Sequence, residues 1–227
     1  MWQISNGECI LTMRGHEDGI RRLIYLAEKH QLVSSSWDKT IKVWSLTTGL
    51  CVISLSEHTS SVNSIILLPK LYLNRPESHL VSGSNDNSIK IWSLNTGKCL
   101  HTLRGHTSLV KSVLLMKPYL EDDTNCNWNI SYELVSSSND KTIRIWNLNR
   151  AGLGQCMKIL YGHERGINCL SMLLIGELLV SASSDQTIKV WNLSKRGRKN
   201  GECVEKHYEC EFTLKGHEDA VKCLIFY

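Results

Sequence analysis

Residues 34–44 read Ser-Ser-Ser-Trp-Asp-Lys-Thr-Ile-Lys-Val-Trp, and the same pattern returns at 82–92, 136–146 and 181–191. In each run a serine opens, an aspartate follows, and a tryptophan closes six residues after it: Ser34/Asp38/Trp44, Ser82/Asp86/Trp92, Ser136/Asp140/Trp146 and Ser181/Asp185/Trp191. The pattern extends upstream. Five histidines each stand seven residues after a cysteine: Cys9/His16, Cys51/His58, Cys99/His106, Cys156/His163 and Cys210/His217. A residue that recurs in every tandem unit serves a need that every unit has, so these positions point to structure before catalysis.

The residues between one histidine and the next break into four short runs rich in Val, Ile, Leu, Thr and Trp. In the first full unit they fall at about Gly19–Leu26, Gln31–Ser36, Thr40–Leu46 and Leu50–Leu55. Turn residues bound them, which is the signature of strands. Asp38-Lys39, Asp86-Asn87 and Asp140-Lys141 join second to third strands, and Gly7, Gly49 and Gly97 stand where a turn needs positive φ.

Gly15-His16, Gly105-His106, Gly162-His163 and Gly216-His217, with the four Ser-to-Trp runs, resemble blades of the WD-repeat β-propeller family across essentially the whole chain. Glu57 replaces the glycine before His58, and the residue after each tryptophan is Gln3, Ser45, Ser93, Asn147 or Asn192 rather than aspartate. The resemblance implies an all-β fold of four complete four-stranded blades with partial blades at both ends. The expected divisions are 1–14 (end of an incomplete blade), four blades at 15–56, 57–104, 105–161 and 162–215, and a further first strand at 216–227. The two ends supply an outer strand near Glu8–Met13 and an inner strand at Ala220–Tyr227, but not the two strands between. That gap, roughly 10 Å at ordinary sheet spacing, leads to the expectation of a stretch of a longer, about seven-bladed ring. An open arc of this kind is expected to show apolar end faces and to self-associate unless more chain covers them.

The resemblance also implies a linked tetrad of His, Ser, Asp and Trp in each blade: His16 with Ser34, Asp38 and Trp44; His58 with Ser82, Asp86 and Trp92; His106 with Ser136, Asp140 and Trp146; His163 with Ser181, Asp185 and Trp191. Ser, His and Asp in contact also spell a hydrolase triad. Four copies without a free face for substrate weigh against that, and the sequence offers no unrepeated catalytic cluster, cofactor motif or metal set. Five of the nine cysteines fill the repeat position before His, and all are expected to be buried, reduced and core-filling.

At 42% hydrophobic and 21% charged, with a net charge of +4, the 227-residue chain has ordinary globular composition. The charge is too small to imply nucleic acid by itself, and the longest apolar runs are strand-sized rather than membrane-spanning. A cytoplasmic or nuclear location is the default expectation, since residues 1–7 lack a secretory pattern.

Function is expected on the irregular residues. Long insertions at 69–78, 117–131 and 194–207 lengthen one face; they include acidic Glu121-Asp122-Asp123 with Trp128 nearby, and basic Lys195-Arg196-Gly197-Arg198-Lys199. The opposite face carries the His and Asp turns. Five residues after each His come Arg21, Asn63, Lys111, Asn168 and Lys222, and before each turn Asp come Trp37, Asn85, Asn139 and Ser184; Lys39 and Lys141 follow turn aspartates. The resemblance implies that these residues rim a central channel, where Trp37 beside cations suits an anchor for a peptide. The expected function is a non-catalytic protein–protein interaction scaffold that binds peptide segments or partner domains. The alternative is a substrate-recognition module of a ubiquitin ligase complex that takes acidic or phosphorylated peptides.

Overall fold

A computed structural model describes residues 1–69, 78–116, 119–121, 129–149, 153–173, 178–193, 198–199, 202–203 and 208–224. Among them are four antiparallel four-stranded sheets. The first comprises β1 (Ile20–Leu26), β2 (Gln31–Ser36), β3 (Ile41–Ser45) and β4 (Cys51–Leu55), in that order. The second comprises β5 (Val62–Leu68), β6 (His79–Ser84), β7 (Ile89–Ser93) and β8 (Cys99–Leu103). The third comprises β9 (Val110–Leu115), β12 (Glu133–Ser138), β13 (Ile143–Asn147) and β14 (Cys156–Leu160), with the short pair β10 (Tyr119–Glu121) and β11 (Asn129–Ser131) inserted after its first strand. The fourth comprises β15 (Ile167–Met172), β16 (Leu178–Ser183), β17 (Ile188–Asn192) and β20 (Glu209–Leu214), with β18 (Arg198–Lys199) and β19 (Glu202–Cys203) inserted before its last. A single 3₁₀ turn, Ala27–Lys29, is the one helical element among the described residues.

Each sheet is one blade of an all-β propeller arc. The blades adjoin through their first strands: β1 lies against β5, β5 against β9 and β9 against β15. The hydrophobic cores lie between blades. One joins Val33, Ile41, Val43 and Leu55 of the first to Val62, Ile65, Leu80 and Trp92 of the second. Its two counterparts join second to third, around Ile91, Val113 and Trp146, and third to fourth, around Ile145, Leu160, Leu179 and Trp191. A sheet needs apolar cover, and here each blade covers its neighbour.

The tight turn between second and third strands is set by its aspartate. Asp38 Oδ1 accepts from the Thr40 N–H at 2.9 Å, and Lys39 takes φ 71°. Asn87, Lys141 and Gln186 occupy the same left-handed region in the other blades, a conformation any non-glycine residue holds only when its surroundings enforce it. Glu57 departs from the repeat with a physical consequence. Gly15, Gly105 and Gly162 hold positive φ beside the tryptophan of their blade, whereas Glu57 has no positive φ and turns its carboxylate to the Cys99 N–H and Lys90.

Three expectations need correction. Residues 8–13 form no continuous strand; residues 8–11 pair antiparallel with residues 1–3 through the Trp2–Cys9 bridge and the Gln3 N–H to Glu8 O and Ile10 N–H to Met1 O bonds. Of the strand expected at 220–227, residues 225–227 lie outside the described residues; 220–224 are not in a strand, and the Val221 N–H donates to Ser183 O of the fourth blade at 3.0 Å. The seven cysteines whose side chains are described do not lie inside the core, though Cys99 and Cys156 pack against it. Cys9, Cys51, Cys210 and Cys223 are exposed free thiols and Cys99, Cys156 and Cys169 are half-buried. The repeat cysteine sits on or near the outermost strand, whose edge faces solvent, and its thiol leans on nearby backbone, as Cys51 does on Ile53 O. The first strand of the first blade leaves Ile20, Leu23 and Tyr25 about half exposed, and Phe212 and Leu214 are similarly open on β20.

Position 35 and its equivalents are small throughout: Ser35, Gly83, Ser137 and Ala182. At Gly83 an added Cβ would stand 2.7 Å from Val110 Cγ1 of the next blade, so the interblade contact sets this size limit. The Ser35 and Ser137 hydroxyls are buried there without a partner. Ser35→Ala and Ser137→Ala are expected to leave denaturant stability unchanged or raise it by up to about 1 kcal/mol, because an unpartnered buried hydroxyl carries a desolvation cost of that order. A clear loss of stability in either variant would contradict this packing account.

Candidate functional site

Four polar networks organise the face that carries the His and Asp turns. In the first blade Ser34 Oγ accepts the Trp44 indole N–H at 2.7 Å and pairs with His16 Nε2 at 2.7 Å, while His16 Nδ1 meets Asp38 Oδ2 at 2.6 Å. The second blade links Trp92, Ser82, His58 and Asp86 at 2.7 to 2.8 Å. The third links Trp146, Ser136, His106 and Asp140, and the fourth Trp191, Ser181, His163 and Asp185, over the same distances. The four serines are essentially inaccessible to solvent. Each hydroxyl is therefore occupied on both sides and sealed from substrate.

The network has members that the sequence pattern held but the tetrad description left out. Two residues after each turn aspartate stands a hydroxyl: Thr40, Ser88, Thr142 and Thr187 each donate to the Asp Oδ1 at 2.6 Å. The last serine of the second strand also takes part. Ser36, Ser84, Ser138 and Ser183 accept the turn-Asp N–H at 3.0 to 3.1 Å and donate to a carbonyl before the first strand. Recurrence in all four units was the signal for both.

Burial alone would raise the four aspartates, but hydrogen bonds from Thr or Ser, His and backbone outweigh it. They hold Asp38, Asp86, Asp140 and Asp185 far below the usual carboxylate range. His163 is shifted down, with burial the largest cause and the Asp185 bond opposing it.

The rim positions owe their direction to a defect in the ladder. The register skips one residue at the start of each first strand: Ile20 pairs Ser36 and Arg22 pairs Ser35, leaving Arg21 unpaired. Asn63, Lys111 and Asn168 are skipped in the same way. Such a bulge re-aims the extra side chain away from the sheet face. Every complete blade thus presents one bulge residue at this place.

What those residues then do divides them. Asn63 Nδ2 donates to Asn85 Oδ1 and to Val110 O of the next blade, both at 2.7 Å. Asn168 Nδ2 donates to Ser184 Oγ at 3.0 Å and to Val221 O at 2.9 Å. The amide Nδ2 of Asn63 and of Asn168 thus ties its blade to the backbone of the next segment, with Asn85 Oδ1 and Ser184 Oγ as the acceptors within the same blade.

The alternate positions carry Arg21, Lys111 and Lys222. Lys111 is half-buried, and burial followed by the nearby Arg21 and Lys222 charges pushes its ammonium below its ordinary value. None of the three makes an ion pair among the described residues. Trp37 is 46% exposed, and its ring packs over Gly19 with the Arg21 guanidinium carbon 5.1 Å from the ring centroid. Asn139 is exposed, as are Lys39 and Lys141. The neighbouring acids are partly occupied: Asp18 and Asp219 accept from the N–H of Gly19 and Ala220.

A separate cleft of about 480 Å³ lies on the fourth blade between Glu164, Asp185, Gln186, Lys189, Lys215 and His217. Its lining is of mixed charge and excludes the rim cations and Trp37. Among the described residues no cluster of three or more His, Cys, Asp or Glu could hold a metal ion, and no helix is long and apolar enough to cross a membrane. The insertions with Glu121-Asp122-Asp123, Trp128 and the basic 195–199 run lie mostly outside the described residues; of them only the backbone of Glu121, Arg198 and Lys199 is placed.

A family model described as WD domain, G-beta repeat matches residues 7–45, 49–93, 97–147 and 154–192. The chain is 30% identical over 69 residues to periodic tryptophan protein 2 of Saccharomyces cerevisiae, a match covering 30% of this chain and 8% of that protein. It is 35% identical over 46 residues to the homologue in Schizosaccharomyces pombe, covering 20% and 5%. An uncharacterized WD repeat-containing protein of S. pombe is 38% identical over 47 residues, covering 21% and 13%. The chain therefore spans only a small fraction of the length of these relatives.

Ser136→Ala orphans both His106 Nε2 and the Trp146 indole. It should destabilise by about 1–3 kcal/mol for each group, in contrast to the adjacent Ser137→Ala, and paired urea titrations check the difference. Acidification should act in two stages. His163 binds its proton less readily folded than unfolded, so stability present above pH of about 6.5 is lost as pH falls below that. The aspartates, ionised to much lower pH when folded, remove more as pH falls below about 4. Thermal melts from pH 8 to pH 3 should show the midpoint declining throughout this acid range, and a rise between pH 7 and pH 5 would contradict it.

Proposed function

From the premise that the chain belongs to the WD-repeat family, whose repeats form protein-interaction scaffolds, we propose that it is a non-catalytic scaffold gripping an extended, acidic peptide segment. The proposed grip is on the turn face, across the inner rim. One observation carries this reading: the Arg21 guanidinium carbon stands 5.1 Å from the centroid of the exposed Trp37 ring, and the charges of Arg21 and Lys222, from separate segments, both act on the half-buried Lys111.

Burial first, and then repulsion from the Arg21 and Lys222 charges, lowers the proton affinity of Lys111. An anionic side chain placed among them relieves that cost, which gives the face a preference for Asp, Glu or a phosphoryl group over neutral residues. Trp37 adds apolar contact with little entropy to lose, and an aromatic next to a guanidinium is a frequent hot-spot pairing. Lys39, Lys141 and Asn139 extend the same surface outward for flanking residues of the peptide.

The four sealed Ser-His-Asp groups favour scaffold over hydrolase, since each serine hydroxyl is already committed to an indole and an imidazole. A ubiquitin-ligase substrate receptor would use the same cations, and a marked preference for phosphorylated over merely acidic peptides is the result that would favour it.

A peptide array containing neutral, acidic and phosphorylated sequences, probed with the chain, tests the reading. Acidic or phosphorylated peptides should bind best, and binding should weaken with added salt. Trp37→Ala should weaken it by about 30-fold, the equivalent of roughly 2 kcal/mol, and Lys111→Gln should erase the preference for acid. Peptide binding unmoved by both variants would sink the choice of face.

A further inference from the structure

Glu57 marks where a carboxylate fits in a blade of this chain. It replaces the glycine before a tetrad histidine, and its Oε2 lies 3.9 Å from Lys90 Nζ while its Oε1 accepts the Cys99 N–H at 3.3 Å. Lys90 is held in place by Thr102, whose Oγ1 accepts from its ammonium at 3.0 Å. Arg104 follows two residues later. The second blade thus carries a receiving set of lysine, threonine and a further cation, together with its own carboxylate.

The fourth blade repeats the receiving set without the carboxylate. Lys189 stands at the place of Lys90, Thr213 at that of Thr102 and Lys215 at that of Arg104. Lys189 Nζ donates to Thr213 Oγ1 at 2.8 Å, the same tie as in the second blade. Gly162 takes the place of Glu57, and a Cβ added to it would stand 3.8 and 3.9 Å from Lys189 Cε and Cδ, in ordinary contact with the lysine stem. In place of a side chain there, the cleft of about 480 Å³ opens, and Gly162, Lys189, Thr213 and Lys215 all line it. The other two blades lack the full set: the first has Ser56 where the second cation would be, and the third has Ile159 where the hydroxyl would be.

Two carboxylates also line the cleft. Asp185 is committed to His163, Thr187 and the Glu164 N–H. Glu164 is exposed on the turn before β15 and opposes the two lysines.

We propose that the fourth-blade cleft is a carboxylate site, separate from the rim, which takes a glutamate side chain of a partner or a free carboxylate of similar length between Lys189 and Lys215. Glu57 is the built-in counterpart of that ligand one site over. Ammonium groups bind a carboxylate by charge-assisted hydrogen bonds. Thr213 already restrains Lys189, so less side-chain freedom is lost on binding. The missing side chain at Gly162 leaves room for the ligand's stem.

Titration of the isotope-labelled chain with N-acetyl-glutamate amide, glutarate, N-acetyl-glutamine amide and inorganic phosphate, followed by backbone amide shifts, tests the proposal. Both carboxylates should move the amides of Gly162, Thr213, Lys215 and Gly216, and the glutamine amide should not. Tighter binding of the glutamate amide assigns the site to a partner's side chain; tighter binding of glutarate assigns it to a free carboxylate. Lys189→Gln and Lys215→Gln should each weaken binding about ten-fold, with the amide spectrum verifying the fold, and Glu164→Gln should strengthen it. Glu57→Ala should open the second blade and add shifts at Lys90 and Cys99. Equal binding of the glutamine amide, tighter binding of phosphate than of either carboxylate, or shifts scattered over lysines outside the cleft overturns the proposal. So does a chain whose cleft amides do not move.

Discussion

The arc depends on one hydrogen-bonded junction repeated four times, the serine hydroxyl that accepts a tryptophan indole N–H and holds a histidine ring. The serine lies on a blade's second strand, the tryptophan on its third, and the histidine on the approach to its first. The turn aspartate completes the link from the far side of the imidazole. Because all the groups are buried, each bond substitutes for water that cannot enter, and loss of any member orphans the rest. The network thereby fixes the order and spacing of three strands and the entry of the chain into the blade. Thr40, Ser88, Thr142 and Thr187 then lock the aspartate itself.

Beyond this junction, stability is shared between neighbours. The apolar clusters lie between blades, each needing residues from both sides, so the chain is energetically close to a linear array of units and interfaces. Small residues at positions 35, 83, 137 and 182 let the blades approach, and Asn63 and Asn168 stitch them with hydrogen bonds to the next segment's backbone. Interblade seams are consequently the places where one residue alters the relation of two blades.

Much of this was legible in the sequence. The first blade's strands lie within about one residue of the positions read from the runs of Val, Ile and Trp, and the positive-φ turns at Gly49 and Gly97 follow from glycine at a fixed distance past Trp. The cysteines were misjudged because recurrence marks a shared place without saying whether that place is inside; here it is on or beside an outer strand with one side in water. No feature of the chain reveals that a carbonyl of the following segment stands 2.7 Å from Asn63 Nδ2 and 2.9 Å from Asn168 Nδ2. The strand expected at 8–13 is limited to the antiparallel pairing of residues 8–11 with residues 1–3, an extent that apolar alternation does not report.

By itself the sequence determined the blades: their number among the described residues, their strand order, and the polar residues that lock each one. Those contacts are made inside a single repeat, between residues a few tens of positions apart, so their spacing is written along the chain. Tertiary structure alone decided which of the irregular residues are tied to a neighbouring segment. The charges of Arg21 and Lys222 reach Lys111 because blades stack side by side around their inner strands. A ladder bulge turns Arg21 and Lys111 toward the rim, and interblade carbonyls claim the asparagines between. Charge convergence and interblade hydrogen bonding depend on distances across blades, and repeat spacing along the chain carries no record of those distances.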